Sequence, residues 1–141
     1  MRGKILESIY DADLGYSEVT KHTKYGTFTD VAYCHEDDKD IMNEWDGCRF
    51  AEFKCDMQAL HEKIKMMKQR LVGMDQLIDL LDRPQVFEEI TYNLYKDLVD
   101  LRNSVQGQIE VDINRYDAMR ENYQDNTERV LRLRRKLRTE D

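Results

Sequence analysis

The clearest pattern in the chain is a series of apolar residues that starts at Phe50 and ends at Leu81. They lie alternately three and four residues apart, like the a and d positions of a coiled coil. The series consists of Phe50, Phe53, Met57, Leu60, Ile64, Met67, Leu71, Met74, Ile78 and Leu81. The spacing predicts one helix over residues 48–82, about 50 Å long at a rise of 1.5 Å per residue. So narrow an apolar stripe requires a partner helix to bury it.

A second helix is predicted over residues 84–139, because Pro84 suits a first helical turn and two glutamates follow where the helix dipole favours negative charge. Its stripe comprises Phe87, Ile90, Leu94, Leu98, Leu101 and Val105, and it resumes at Met119, Tyr123, Val130, Leu133 and Leu137. Four-residue steps around Gly107 predict an interruption or bend near 105–113. Because the connection between the helices is short, they are expected to form an antiparallel hairpin.

This hairpin has two consequences for the rest of the chain. With the turn at residues 82–84, Phe50 is expected to lie near Tyr116. Residues beyond about 117 then run alongside the N-terminal segment. Because this basic tail keeps an apolar stripe, it is expected to pack on the N-terminal segment or on another chain.

Residues 1–47 are predicted to form a small acidic head. Residues 1–15 favour a short helix, because their apolar residues recur at four-residue steps. The runs 16–24 and 27–34 favour a β-hairpin that turns at Tyr25-Gly26. An acidic, turn-rich segment follows, in which either Asn43 or Asp46 is placed to cap the first helix. The predicted fold class is mainly α: a long antiparallel helical hairpin, as a coiled coil, with a small N-terminal β-hairpin head.

The segment that leads from the hairpin into the first helix resembles a module of small uncharacterised proteins from phages and prophages of Gram-positive bacteria. The resemblance covers roughly residues 26–60. The residues in matching places are Ala32, Cys34, His35, Asp37, Asp38, Gly47 and Ala51. Glu36 stands where the module usually has proline, and Lys54-Cys55 replace its Arg-Ala pair. The resemblance implies a phage origin and a strand-to-helix unit, and it implies no activity.

Further apolar residues near the predicted turn lie off the two stripes. They are Val72, Leu77, Leu80, Val86, Tyr95 and Val99. Two helices cannot cover apolar faces this wide, whereas a four-helix bundle of two hairpins can. These residues therefore predict a homodimer joined through the hairpin tips.

Charge is spread unevenly over the 141 residues, whose net charge is −7. Residues 1–60 carry 13 acidic and 7 basic side chains, whereas residues 113–141 carry 6 acidic and 8 basic ones. No apolar run is long enough for a membrane span, and no secretory signal is visible. Three cysteines provide no disulfide framework and fit a reducing cytosol. A cytoplasmic protein without membrane contact is expected.

The cysteines and histidines do not form a recognisable site, because none has the paired spacing of a zinc site. Cys55 is expected at an outward heptad position. Cys34 and His35 are sequence neighbours, so they would point to opposite faces of a strand. Neither a Gly-rich phosphate loop nor a nucleophile elbow is present. We therefore expect no metal, no cofactor and no catalytic residue.

Two charged clusters are the candidate binding residues. The acidic cluster and its neighbouring aromatic residues are the candidate protein-binding surface, made of Tyr33, Glu36, Asp37, Asp38, Asp40, Glu44, Trp45 and Asp46. The candidate nucleic-acid contacts are Arg129, Arg132, Arg135 and Lys136. The alternatives are a solvated, helix-capping turn for the first cluster and a solvated or head-paired helix face for the second. Because the chain is acidic and aromatic residues are enriched in protein interfaces, protein binding is favoured.

The leading hypothesis is a non-enzymatic, phage-encoded interaction protein that inhibits a host defence nuclease, as an anti-CRISPR protein does. Its partner would be a host or phage protein, such as one that itself binds nucleic acid. The alternative is an accessory nucleic-acid-binding protein that uses its Arg-rich C-terminal helix.

Overall fold

The computed structural model describes residues 3–41, 43–82 and 89–140. The chain divides into two compact units: a head unit of Met1–His61 with Tyr116–Asp141, and an arm unit of Glu62–Arg115. Two long helices contribute to both units, and the head adds an antiparallel sheet of three strands. The prediction of a mainly α protein with an N-terminal β segment is confirmed. Over the described residues, neither helix has a stretch long and apolar enough to cross a membrane.

The sheet is a meander of β1 (Gly3–Asp11), β2 (Tyr16–Thr23) and β3 (Gly26–Tyr33), in that order. The predicted hairpin corresponds to β2 and β3 to within a residue at each end. Thr23 pairs with Gly26 across the turn. Gly26 has a φ of 133°, a conformation that residues with a side chain rarely adopt.

The helix predicted for residues 1–15 is wrong, because this segment contains the edge strand β1, paired antiparallel with β2. A register shift between Ile5 and Glu7 inserts one extra residue into the strand. As a result Ile5 lies opposite Lys21 and Ile9 opposite Glu18, on the two different faces of the sheet. The bulge breaks the two-residue alternation by which a strand is recognised.

The first helix, α1 (Glu44–Leu81), begins four residues before the predicted position. The Asn43 side chain accepts a hydrogen bond from the backbone N–H of Asp46 at 3.0 Å, so Asn43 is the capping residue of the two candidates. The second helix, α2 (Glu89–Glu140), is helical throughout. The interruption predicted near 105–113 is therefore wrong, whereas the bend offered as its alternative stays a prediction. The predicted start at Pro84 lies outside the described residues.

The core of the head lies between the sheet and the first turns of α1. Val19 and Ala32 of the sheet meet Ala51 and Cys55 of the helix, and all four are buried. The outward position predicted for Cys55 is wrong, because α1 turns its small residues towards the sheet. Small side chains allow the helix backbone to approach the strands closely, which a stripe of large residues would prevent.

Gly47 is the point of closest approach between α1 and the sheet. A Cβ atom at this position would lie 2.0 Å from the hydroxyl oxygen of the buried Ser17. We expect Gly47→Ala to destabilise the protein by about 1–3 kcal/mol through overpacking, measured by urea unfolding. The matched control is Gly73→Ala, because a Cβ at Gly73 meets nothing within 4 Å. The control is expected to stabilise by up to about 1 kcal/mol, and equal effects of the two substitutions would contradict this packing.

The tail of α2 packs on the head through Tyr123. Its ring lies edge-on to Phe50 at 6.0 Å and stacks on Phe53 at 5.6 Å between centroids. Tyr116, the predicted neighbour of Phe50, lies beside His61 instead. The predicted register is thus wrong by seven residues along α2, because Phe50 faces Tyr123 rather than Tyr116.

In the arm unit, α1 and α2 run antiparallel and are joined by two ion pairs. Lys63 lies 2.9 Å from Asp112, and Arg102 lies 2.9 Å from Asp75. Ile64 and Ile109 are the buried apolar residues among those described in this unit, and the buried Asp112 accompanies them. So little buried apolar surface leaves the arm with wide exposed faces.

The residues predicted to mediate oligomerisation differ in how far their side chains are exposed. Val72, Leu77 and Leu80 are exposed, Tyr95 and Val99 are half-buried, and Val86 lies outside the described residues. Leu94 and Leu101 belong to the stripe predicted to be buried, but both are exposed. The predicted burial of Leu94 and Leu101 is wrong, because the less exposed apolar residues of α2 in this region are Leu98, Val105 and Ile109.

Candidate functional site

The acidic segment between β3 and α1 is ordered by a short 3-10 helix at Glu36–Asp38. The Nδ1 atom of His35 accepts a hydrogen bond from the backbone N–H of Asp37 at 3.2 Å, which caps this turn. The turn directs Asp38 inwards, where it is only 1% exposed, and leaves Glu36 and Asp37 at the surface.

Two acidic residues of the predicted surface are bound instead by the basic tail. Arg135 donates to both carboxylate oxygens of Asp38, through Nε at 2.8 Å and through Nη2. Arg134 pairs with the buried Asp46 and donates to the backbone oxygen of Ile41 at 2.7 Å. A bidentate guanidinium–carboxylate contact is strong and directional. Asp38 and Asp46 are therefore internal to the head, and including them in an accessible binding surface is wrong.

Four acidic residues of the predicted surface remain exposed. They are Glu36, Asp37, Asp40 and Glu44. All four lie in or beside the segment that the tail holds in place. The sequence located this acidic surface but could not separate its outward residues from its inward ones.

Trp45 lies at the start of α1 and is 65% exposed. The guanidinium carbon of Arg49 lies 4.7 Å from the centroid of its ring, in a cation–π contact. A groove runs between this turn of α1 and the edge strand β1, and its walls include Ile5, Ser8 and Cys48. The Ser8 hydroxyl and the Cys48 thiol lie 3.0 Å apart across the groove. We call this the β1–α1 groove.

Sequence reasoning missed the β1 side of this groove. Ile5 is exposed and lies within it. Because the segment was assigned to a helix, its side chains had no predicted place beside Trp45. The available signal was the β-branched and aromatic content of residues 5–10, which favours a strand.

Tyr33 is 74% exposed but belongs to a different part of the head surface. Its ring packs on Tyr16 of the neighbouring strand, with centroids 5.3 Å apart. Tyr33 and Tyr16 are cross-strand partners. Ser17, the residue after Tyr16, is buried beneath α1. Because successive side chains of a strand point to opposite faces, Tyr16 and Tyr33 lie on the sheet face away from α1. The structure therefore separates the two aromatic residues that the sequence placed in one surface.

Tyr16 provides a spectroscopic test of this sheet face. Its hydroxyl donates a hydrogen bond to Glu18 at 2.7 Å. This hydrogen bond, with a smaller effect of burial, raises the pKa of Tyr16 to about 12. In a ¹³C-tyrosine NMR titration we expect one phenol to titrate near that value. Glu18→Ala, which removes the acceptor, should return it towards the ordinary 10.0, and an unshifted titration of Tyr16 in the native protein would contradict the contact.

Comparison with known proteins does not indicate a function for this chain. No family model, curated protein or solved structure matches this chain. The surface must therefore be interpreted from its residues.

The packing of the α2 tail on the head separates the candidate nucleic-acid contacts into a residue paired with a buried carboxylate and residues exposed on the helix. Arg135 is committed to Asp38, and this contact, together with nearby acidic groups, raises its pKa. Arg129, Arg132 and Lys136 are exposed on α2. The basic tail thus directs part of its charge into the head and part towards the surface.

Two of the three thiols lie in environments that disfavour the thiolate. Burial raises the pKa of Cys55 to about 11, and burial together with the charge of Asp38 raises the pKa of Cys34. A thiol nucleophile acts as the thiolate, which these two environments oppose. Over the described residues, no three His, Cys, Asp or Glu side chains are grouped to hold a metal ion.

Proposed function

We propose that this chain is a non-enzymatic interaction protein whose acidic head binds a basic surface of another protein. The observation that carries the proposal is the exposed Trp45, held beside an open groove by Arg49. Tryptophan is highly buried on average, and it is enriched among the hot spots of protein interfaces. Ile5 adds apolar surface in the same groove.

Charge indicates the class of partner. Glu44 lines the β1–α1 groove, and Glu36 and Asp37 are exposed on the adjoining segment. Complementary charge steers association and excludes partners of like charge. A basic patch such as that of a nucleic-acid-binding protein suits this head, and we propose a host defence nuclease as the target of a phage-encoded, anti-CRISPR-like inhibitor in the cytoplasm.

We also propose that the two helices form a long antiparallel hairpin that self-associates as a homodimer. Support comes from the two interhelical ion pairs of the arm and from its many exposed apolar residues. Leu77, Leu94 and Leu101 are each more than half exposed, which a helix pair in water tolerates poorly.

The alternative, nucleic-acid binding by the tail, is less well supported. Two arginines, Arg134 and Arg135, are engaged with head carboxylates. A gel shift with duplex DNA and with RNA separates the two functions. Binding that fades steeply with salt and is lost when Arg129 and Arg132 become alanine would favour the alternative.

The head surface is tested by affinity capture from a nuclease-treated lysate of a Gram-positive bacterium. The immobilised baits are the wild type, Trp45→Ala, Glu44→Gln with Glu36→Gln, and the control Arg132→Ala. We expect one basic protein to be retained by the wild type and the control, and lost with the other two. The same discrimination must then be reproduced with that protein in purified form. Equal retention by all four baits would contradict the proposed surface.

A further inference from the structure

The two ion pairs of the arm show which residues flank the contact between α1 and α2. Lys63 and Asp112 form one pair, and Asp75 and Arg102 form the other. On α1, Lys63 and Asp75 are twelve residues apart, so a period of 3.6 residues places them about 120° apart around the helix. They therefore lie at the two opposite edges of the interhelical seam.

Three exposed leucines, Leu77, Leu94 and Leu101, lie at the edge of the seam that Lys63 marks. On α1, Leu77 follows Lys63 at twice seven residues, so both lie on one stripe. On α2, Leu94 and Leu101 lie on the stripe of Gln108, which donates a hydrogen bond to Asp112 at 3.1 Å. Since Asp112 is the partner of Lys63, the two stripes border the same edge of the seam.

The three leucines also lie close together along the helix axes. With Asp75 opposite Arg102 in an antiparallel pair, Leu77 lies level with residue 100. Leu101 is then one residue away, and Leu94 is about 9 Å away at a rise of 1.5 Å per residue. Leu77, Leu94 and Leu101 therefore form one cluster, which we call the leucine face. Leu94 and Leu101 are 57% and 52% exposed.

The charged neighbours of this face indicate what covers it. Arg70 lies on the stripe of Leu77, one heptad away, and Asp97 lies between Leu94 and Leu101; both are exposed. A two-fold contact makes every residue pair twice, i with j and j with i. One arginine and one aspartate on each leucine face are thus complementary to the same pair on another copy.

We propose that the leucine face of one chain packs against the leucine face of a second copy, with Arg70 of each chain near Asp97 of the other. This deepens the proposed self-association and rests on it. Val72 lies outside the contact, because it is nine residues from Lys63 and therefore about 180° from it around α1, beyond the Asp75 edge of the seam. The four helices of two arms then enclose the leucines as the core of a bundle.

The test is sedimentation equilibrium of the full-length protein, with circular dichroism as the check on helix content. We expect a dimer for the wild type at about 10 µM, at least a tenfold weaker dimer for Leu94→Glu with Leu101→Glu, and no change for Val72→Glu, which is 58% exposed. A wild-type monomer at this concentration would overturn both the self-association and this face. A dimer that survives the leucine substitutions but is lost with Val72→Glu would overturn the face alone.

Charge reversal gives a second test that leaves the leucines in place. Arg70→Asp and Asp97→Arg are each expected to weaken the dimer at least fivefold at low salt, and the double variant should restore it to within twofold. A double variant no better than the single variants would overturn the pairing, even if the leucine variants fail to fold.

Discussion

Lys21→Ala is expected to lower the free energy of unfolding by about 3–5 kcal/mol. Lys21 lies in the middle strand and is only 3% exposed. Its Nζ atom is 2.8 Å from a carboxylate oxygen of both Glu52 and Asp56 on α1. Removal of the ammonium leaves two partly buried carboxylates close together without a cation, with the Glu52 and Asp56 side chains 32% and 15% exposed. Urea unfolding followed by circular dichroism measures the loss.

The rescue experiment separates charge from packing. Lys21→Met combined with Glu52→Gln and Asp56→Asn removes all three charges at similar volume and is expected to recover most of the stability. If this triple variant is as unstable as Lys21→Ala, the loss comes from packing and the electrostatic account is wrong.

The same ion cluster has a predictable pH dependence. Burial acts to lower the pKa of Lys21, but the hydrogen bonds that its ammonium donates to Asp56 and Glu52 outweigh burial and raise the pKa above 10.5. A raised pKa in the folded state means that this contribution to stability is complete below pH 10.5 and is lost as the pH rises through the folded value. The stability difference between the wild type and Lys21→Ala should therefore narrow only in strong alkali.

Arg134→Ala is expected to cost about 2–4 kcal/mol, because it removes the cation from the buried Asp46 and the donor from the Ile41 carbonyl. The matched control is Arg132→Ala, whose side chain is exposed on the same helix; it should change stability by less than about 0.5 kcal/mol. Hydrogen exchange should also show faster exchange in residues 36–46 for Arg134→Ala alone. Equal stabilities of the two variants would contradict the role of the tail in holding the acidic segment.

The elements that could be predicted are those with local signals. The hairpin of β2 and β3 follows from β-forming residues on either side of a glycine turn, and the end of α1 near Leu81 follows from its unbroken periodicity. The apolar stripe that contains Tyr123 predicts that the basic tail is packed, but leaves open whether it packs on the head or on another chain. The signals for the hairpin and for the end of α1 each lie within a few residues of the feature they specify.

The elements that could not be predicted depend on distant partners. Strand β1 could not be recognised from its own residues, because its bulge interrupts the alternation of apolar and polar positions and because it is stabilised by pairing with β2. The inward positions of Asp38 and Asp46 depend on Arg135 and Arg134, which are 97 residues from Asp38 and 88 from Asp46 along the sequence. An acidic cluster without those partners has the pattern of a solvated loop.

The assignment of Leu94 and Leu101 failed for a related reason. Spacing alone places these leucines on the apolar stripe of α2, together with Leu98. The rotation of α2 against α1 is fixed by Lys63–Asp112 and Asp75–Arg102, and this rotation leaves the two leucines exposed. Periodicity therefore identifies a stripe, but interhelical contacts decide which of its edges is buried.

The most direct test of the central claim, that the head recognises a protein through Trp45, is a calorimetric titration of the captured partner in purified form. We expect Trp45→Ala to weaken binding by at least tenfold, as is usual for a hot-spot tryptophan. Arg132→Ala, on the exposed side of the tail, should change the affinity by less than twofold. Unchanged binding by Trp45→Ala, together with a large loss for Arg132→Ala, would contradict the account and transfer the function to the basic tail.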